Sequence, residues 1–327
     1  MDEGSEFHQG IMAAIISSLE ELISFCISED LEQQFISKIT EKAVALPFID
    51  TVPKSNNTEI ISIDHAITLA DSIPNLLSFV CSDGSSLARQ MHEPDILELV
   101  NDISIKLGYT LRNRQSYRVR GLYVIIDPEV TSGRNPLEIA QAAVRGGASM
   151  LQLRDKLRDK GESFRLAWDL QELCVSNDVL LIINDHIDLA VAINSGGVHL
   201  GQTDLPVKDA RAILKPGQVL GRSNREYDQL SESQDMNVDH VAFGPIYATT
   251  TKSTGREPQG AERLKQARAL TSLPLVAIGG INVDNLAPVI VAGADAICVT
   301  AAVGLSDDPE RSSNELVEAI SSAGGKI

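Results

Sequence analysis

Three short apolar runs that end in polar residues decide how this chain folds: QLRDK at 152–156, LIIND at 181–185 and GVHLGQTD at 197–204. Short apolar runs of this kind are typical of buried strands, and the polar residues that follow mark the strand ends. Together these ends offer two cations, Arg154 and Lys156, and two well-placed carboxylates, Asp185 and Asp204. That combination suits a pyrophosphate bound together with magnesium.

The chain around these runs predicts a barrel. From Gly121 onward, short β-branched runs alternate with helical patterns. The predicted strands cover 122–126, 150–153, 179–183, 198–200, 219–221, 240–243, 275–278 and 296–299. The predicted helices cover 136–145, 161–176, 187–193, 207–214, 226–232, 261–270, 283–292 and 310–322. This α/β alternation indicates a (β/α)8 TIM barrel. A doubly wound open sheet is the alternative, although no GxGxxG motif follows the first strand to favour it.

Polar residues follow the predicted strands at the end where barrel enzymes carry their chemistry. In chain order they are Gln152, Arg154 and Lys156, then Asn184 and Asp185, Gln202 and Asp204, Ser223 and Asn224, the run GPIYATTTK at 244–252, Gly279 and Gly280, and Thr300 and Ala301. Because the C-terminal ends of the strands meet at one mouth of a barrel, we expect these residues to surround one site.

Asp185 and Asp204 follow neighbouring strands and can share one hard cation. Magnesium commonly takes one or two carboxylates and keeps other positions for substrate phosphate and water. Helix capping is the competing interpretation, since Asp185 stands where a helix begins and Asp204 precedes Leu205-Pro206.

Two anion sites are predicted at the mouth. Arg154 and Lys156 stand at a strand end opposite Lys252, which favours phosphate binding. The pair Gly279-Gly280 before a helical pattern, with the turn after the eighth strand, is typical of the phosphate site of barrels, although a plain turn is the alternative. Two anion sites indicate two phosphorylated substrates, or one substrate with two phosphate ends.

No nucleophile with an adjacent base stands out in the sequence. His199 lies within a strand, where packing is the expected role, and Ser223 has no obvious His or Asp partner. The reaction is therefore expected to depend on positioning and electrostatics, without a covalent enzyme intermediate.

The residues before the barrel predict an all-α accessory domain at 11–111. Helical patterns cover 11–25, 31–46, 64–73 and 94–107, and Pro74 is expected to open a helix of its own. Residues 1–10 are expected to form a flexible tail whose first seven residues, MDEGSEF, resemble a cloning scar or are native. The basic stretch at 112–120 is the expected linker into the barrel domain at 121–327. An oligomerisation module, a regulatory ligand site and a second enzyme remain open for this domain.

Composition limits the partners. The net charge of −17 argues against nucleic acid and an anionic membrane, although a local cluster of cations can still bind an anionic substrate. Four separated cysteines without a CxxC pair indicate reduced thiols, and we find neither an apolar run long enough for a bilayer nor a signal pattern. We therefore expect a cytoplasmic protein with small-molecule substrates, and the sequence leaves a homo-oligomer open.

The C-terminal part resembles the thiamine phosphate synthase (thiamine-phosphate pyrophosphorylase) family. Six motifs carry the resemblance, in the family's order and over nearly all of 120–327: QLRDK at 152–156, IIND at 182–185, GVHLGQTD at 197–204, GPIYATTTK at 244–252, AIGGI at 277–281 and GADAICVTAAV at 293–303. The resemblance implies a transferase that joins 4-amino-2-methyl-5-hydroxymethylpyrimidine diphosphate to 4-methyl-5-hydroxyethylthiazole phosphate. The products would be thiamine phosphate and pyrophosphate, and the cofactor Mg²⁺.

The same resemblance implies a role for each matching residue. Asp185 and Asp204 would hold the metal. The diphosphate would bind to Arg154, Lys156, Asn184 and Lys252, and the thiazole phosphate to Thr249, Thr251, Gly280 and the backbone at Thr300 and Ala301. Gln152 would orient the aminopyrimidine. Ser223 would stand near the diphosphate and the reacting centre, and it would share the catalytic role with Arg154, Lys156 and Lys252.

The chain departs from the family pattern at two places. Ser223-Asn224-Arg225 stands where the family often has S-x-H, and Ala301 stands where a serine is common. Two other functions stay open: a thiazole tautomerase of the same fold, which would not need both the Gln-Arg-Lys set and the metal carboxylates, and a non-catalytic phosphate-sensing scaffold.

Overall fold

The computed structural model describes residues 3–29, 31–49, 62–81, 92–131, 133–249 and 257–327. The chain divides into two compact units, Met1–Leu111 and Arg112–Ile327. The first unit is helical, and its described helices are α1 (Glu3–Ser28), α2 (Gln33–Val44), α3 (Ile63–Cys81) and the larger part of α4 (Glu93–Ser116).

The helical unit is held together by an apolar stripe on α1. Ile15, Leu19, Leu22 and Cys26 recur at helical spacing and are fully buried, and α1 packs against α3. Burying such a stripe is the main source of stability for a helix in a protein. The unit therefore has a hydrophobic core of its own.

Three expectations for this part of the chain differ from the structure. Helix α1 already begins at Glu3, inside the segment expected to be a tail, and α4 continues to Ser116, inside the expected linker. Pro74 lies within α3 and does not open a separate helix. A proline removes one helical hydrogen bond, but Ile73 and Leu77 on either side of it are fully buried and hold the helix in place.

The segment Gln9–Ser28 is long and apolar enough to pass the test for a membrane span, with a mean hydropathy of 1.7. No uninterrupted apolar run of that length was predicted from the sequence, since Glu20 and Glu21 interrupt the segment. Within the described residues, 39% of the segment is buried inside the protein. The core helix of a soluble protein and a signal sequence pass the same test, so the finding is weak evidence for a membrane helix.

The second unit is a closed barrel in which eight parallel strands pair in chain order and β1 returns to β8, as predicted. The strands are β1 (Gly121–Ile126), β2 (Met150–Leu153), β3 (Leu180–Asn184), β4 (Gly197–Leu200), β5 (Val219–Asn224), β6 (His240–Phe243), β7 (Leu275–Ile278) and β8 (Ala296–Val299). The described helices are α5 (Pro136–Arg145), α6 (Lys160–Ser176), α7 (Ile187–Ala192), α8 (Val207–Ile213), α9 (Tyr227–Asp235), α10 (Gly260–Ala269), α11 (Ala287–Val291), α12 (Ala301–Gly304) and α13 (Pro309–Ser322).

Alternation along each strand divides the barrel core into two layers. On β2, Leu151 and Leu153 belong to the large cluster between the strands and the helices, whereas Met150 belongs to a smaller cluster inside the barrel. Gln152 lies two residues after Met150 and shares its side of the strand. A polar side chain of β2 therefore lies inside the barrel.

Two boundaries matter for the site. Strand β5 runs three residues further than predicted, so Ser223 is part of the strand and not of the loop after it. Helix α11 begins only at Ala287, whereas the helical pattern began at residue 283. The glycine pair after β7 is therefore followed by a turn, and no helix begins beside it.

Candidate active site

The two predicted metal carboxylates lie beside each other at the ends of β3 and β4. Asp185 has a left-handed backbone conformation with φ of 60°, and its N–H donates to the carbonyl of His199 on the neighbouring strand at 3.0 Å. Its carboxylate accepts from the Lys156 ammonium at 2.5 Å. Left-handed residues other than glycine often occur at functional sites, where the surrounding structure holds them in place.

Asp204 turns back toward the end of β4, where its carboxylate accepts the Gly201 N–H at 2.6 Å. Burial raises the pKa of the Asp204 carboxyl, and the neighbouring Asp185 carboxylate raises it further, whereas the Gly201 N–H and Lys156 act in the opposite direction. Helix capping, the competing interpretation for both aspartates, does not hold in the described residues, because His186 and Pro206 occupy the N-cap positions of α7 and α8.

This pair of carboxylates fits a divalent cation. Two interacting carboxylates repel each other, and a hard cation between their oxygens would relieve that repulsion. Among the described residues, no group of three or more His, Cys, Asp or Glu side chains is arranged to hold a metal. A cation held by Asp185 and Asp204 would keep positions for the oxygens of a substrate, as magnesium commonly does.

Arg154 forms an ion pair with an acidic residue that was not predicted to belong to the site. Its guanidinium donates to the carboxylate of Asp127, which is only 1% exposed, and Glu129 lies 3.9 Å away. Asp127 directly follows β1, just as Arg154 follows β2, so its position at a strand end was the available signal. The pair holds the Arg154 guanidinium at the barrel mouth.

A cavity of about 570 Å³ opens at this mouth. Six of the residues with a predicted substrate or catalytic role line it: Arg154, Ser223, Thr249, Gly280, Thr300 and Ala301. Gln202, Asn224 and Gly279, which were expected at the strand ends without an assigned role, also line it. Residues that were not predicted line it as well, among them Asp127, Arg225, Glu226, Gln229 and Cys298. Gly201 lines the cavity and carries the hydrogen bond to Asp204, so the carboxylate pair lies beside the cavity wall.

Three of the predicted residues that the structure describes, Gln152, Asn184 and Lys156, do not line the cavity. Gln152 is buried inside the barrel and donates to the Tyr123 hydroxyl at 2.6 Å. Asn184 is buried at the end of β3, and Lys156 is occupied with Asp185. Thr251 and Lys252 lie outside the described residues, so their predicted contacts are not tested.

The glycine loop after β7 forms one wall of the cavity. Gly279 and Gly280 have φ of 106° and 63°, and a Cβ at Gly280 would lie 2.3 Å from the Ala248 carbonyl oxygen. The loop is held by Asn285, whose amide donates to the Gly280 carbonyl at 3.0 Å, and the Tyr247 hydroxyl in turn donates to the Asn285 carbonyl. The position requires glycine, and its backbone faces the cavity.

Ser223 has a histidine partner, contrary to the sequence reading. His199 Nε2 lies 2.9 Å from Ser223 Oγ, and the other ring nitrogen of His199 lies 3.4 Å from Nε2 of His240. Strand alternation could have placed His199 and Ser223 on inward faces, but their contact depends on the register between β4 and β5. At the departure from S-x-H, Arg225 lines the cavity in place of a histidine.

The barrel part of the chain is similar to known proteins in both sequence and structure. A family model described as thiamine monophosphate synthase matches residues 122–303. The thiamine-phosphate synthase of Natronomonas pharaonis is 40% identical over 61% of this chain and 94% of its own length, and that of Albidiferax ferrireducens is 40% identical over 58% and 86%. A solved thiamine phosphate pyrophosphorylase from Pyrococcus furiosus has a TM-score of 0.59 and 30% identity, over 66% of this chain and all of that chain.

Proposed function

Because the chain belongs to the thiamine monophosphate synthase family, we propose that its barrel joins 4-amino-2-methyl-5-hydroxymethylpyrimidine diphosphate to 4-methyl-5-hydroxyethylthiazole phosphate. The activity is that of a thiamine-phosphate synthase, which is a transferase. The observation that carries the choice of substrates is the barrel mouth, where one cavity lies between Arg154 on one side and the Gly280 loop on the other, with two carboxylates beside its wall.

The reaction exchanges one bond for another. The bond between the pyrimidine methylene carbon and the diphosphate oxygen breaks, and its electron pair leaves with the pyrophosphate. The electron-rich aminopyrimidine stabilises the methylene cation that remains. The thiazole nitrogen then donates its lone pair to that carbon and forms the new C–N bond. No proton has to leave the reacting atoms, so the site needs no strong base.

The chain's own cations stabilise the leaving group. Arg154 lines the cavity, and Lys156 lies beside the carboxylate pair, where both can approach a diphosphate. Fixed charges aimed at a developing negative charge are commonly the largest contribution to catalysis. A magnesium ion held by Asp185 and Asp204 would supply further positive charge to the diphosphate oxygens. Asn184 and Lys252 are proposed to complete this side.

The opposite wall receives the thiazole phosphate. Thr249, Gly280, Thr300 and Ala301 line the cavity, and Thr251 is proposed to join them. Backbone N–H groups bind phosphate well where no side chain blocks the approach. Gln152 is proposed to orient the aminopyrimidine from below. Holding both substrates in one cavity also keeps water from the cation, which water would otherwise trap.

We also propose a cytoplasmic location. The four cysteines, Cys26, Cys81, Cys174 and Cys298, form no disulfide with one another, and burial raises the pKa of Cys26 and Cys174 to about 12. Buried protonated thiols are inert and fit a reducing compartment.

The test is a synthesis assay with both substrates. The purified chain should form thiamine phosphate and pyrophosphate with Mg²⁺ and none with excess chelator. Lys156→Ala should lower kcat by orders of magnitude. Lys160→Ala is the matched control, because Lys160 forms an exposed ion pair with Asp188 and neither residue lines the cavity. A folded wild-type protein without product would refute the proposal, and equal activities of the two variants would refute the role of Lys156.

A further inference from the structure

Two histidines contact each other inside the barrel, one on each side of β5, where the residue between them is a glycine. His199 on β4 pairs in register with Gly221 on β5, which pairs in register with His240 on β6. The two imidazole rings approach each other across the glycine, with centroids 5.5 Å apart. A Cβ at Gly221 would lie 2.0 Å from His240 Nε2 and 2.5 Å from His199 Nδ1. The glycine is therefore what allows the two rings to touch.

The contact continues to the cavity through Ser223. His240 Nε2 lies 3.4 Å from His199 Nδ1, and His199 Nε2 lies 2.9 Å from Ser223 Oγ. Ser223 lines the cavity, whereas His240 is fully buried. The three side chains thus form one hydrogen-bonded row from the barrel interior to the site.

The proton positions along this row follow from the surroundings of His240. Burial, with smaller contributions from His199 and Arg211, holds the pKa of His240 well below its usual range, so the ring is neutral and carries one N–H. Its Nδ1 is buried and has no hydrogen-bond partner among the described residues. A buried N–H without an acceptor is rarer in proteins than an acceptor without a donor. The proton of His240 therefore belongs on Nε2.

The tautomer of His199 then follows, because the hydrogen bond at one ring nitrogen decides the state of the other. His199 Nδ1 accepts the proton of His240, so His199 carries its own proton on Nε2. Ser223 Oγ accepts that N–H, which leaves the hydroxyl proton of Ser223 available to a group in the cavity.

We propose that His240 is a positioning residue: through His199 it orients the Ser223 hydroxyl so that it donates into the cavity, toward the oxygens of an anionic substrate. The proposal rests on the proposed function only for the identity of that substrate, the pyrimidine diphosphate. The tautomers themselves do not depend on it.

The direct test is nitrogen NMR of the full chain labelled with ¹⁵N-histidine at pH 8. The chain has six histidines, and His199→Gln and His240→Gln variants assign the two resonance pairs. We expect both rings to be neutral with the proton on Nε2. A His199 ring with its proton on Nδ1 would overturn the proposal, and so would a doubly protonated ring. Because this readout needs no substrate, it stands even if the synthase assay fails.

The kinetic test compares His240→Met with His240→Gln. The two side chains have similar length and flexibility, but only glutamine offers an N–H near the position of Nε2. Methionine should lower kcat at least tenfold and leave the KM of the thiazole phosphate unchanged, and glutamine should restore most of kcat. Thermal unfolding of both variants separates this effect from loss of fold. Equal kcat in two folded variants would refute the positioning role.

Discussion

Replacing Gly280 with alanine tests the thiazole-phosphate wall most directly. Its φ of 63° costs an alanine about 1 kcal/mol. The new Cβ would lie 2.3 Å from the Ala248 carbonyl oxygen, and overpacking of this kind costs about 1–3 kcal/mol more. A total of about 2–4 kcal/mol corresponds to a fall in Tm of about 4–16 °C for a unit of this size.

The same change should weaken the binding of the thiazole phosphate selectively. Shifting the loop removes a backbone N–H from the bound phosphate, and a hydrogen bond to a charged group contributes about 1.5–3 kcal/mol. The KM of the thiazole phosphate should therefore rise about 10- to 150-fold, whereas the KM of the pyrimidine diphosphate should stay within a few-fold of wild type.

Gly324→Ala is the matched control for this change. Gly324 has φ of 84°, and nothing lies within 4 Å of its added Cβ. This variant should carry the backbone cost of about 1 kcal/mol alone and keep both KM values. The assays are thermal unfolding and steady-state kinetics with each substrate varied in turn. Equal Tm and equal thiazole-phosphate KM in the two variants would refute the reasoning.

Three further changes test the rest of the site. Asp204→Asn should abolish the rise in Tm that Mg²⁺ gives the wild type. A variant that responds to Mg²⁺ like the wild type would contradict the metal site. Without metal, the stability of the variant should also depend less on pH than that of the wild type. The reason is that the pKa of Asp204 is raised in the folded protein, so that ionising this carboxyl destabilises the fold as the pH rises above about 3.9. Asp127→Asn should cost about 3 kcal/mol of stability, because it leaves the charge of Arg154 without its buried partner. Pyrophosphate should raise the Tm of this variant more than that of the wild type, and equal shifts would speak against Arg154 as a diphosphate ligand. A chain that starts at Arg112 should remain active and melt higher than one that starts at Arg118, because Arg112 donates to the carbonyl of Pro216 in the barrel unit at 2.9 Å; equal melting temperatures would show that this contact contributes nothing measurable.

The barrel and its mouth could be predicted because both follow from local patterns. The alternation of strands and helices requires only residue types along the chain. The strand ends then identify the mouth, and six of the residues with a predicted role do line one cavity. Asp185 and Asp204 were predicted as a pair for the same reason, since they follow neighbouring strands.

Other features depend on register and packing, which the sequence does not display. The contact between His199 and Ser223 exists because β4 and β5 are aligned so that His199 lies opposite Gly221. Gln152 faces inward and donates to Tyr123 on β1, a contact that alternation along one strand does not specify. Pro74 stays within a helix because the packing of its neighbours outweighs one lost hydrogen bond.

The left-handed backbone at Asp185 has a consequence for how this position can change over evolution. Asparagine and glycine adopt φ near 60° readily, whereas glutamate does so at a greater cost. A drift from aspartate to asparagine would keep the turn and lose the charge, and a change to glutamate would keep the charge and strain the turn. Glutamate, which conserves the charge, is thus the substitution that the backbone conformation at Asp185 disfavours. A relative that had abandoned metal chemistry could carry asparagine here with its barrel intact.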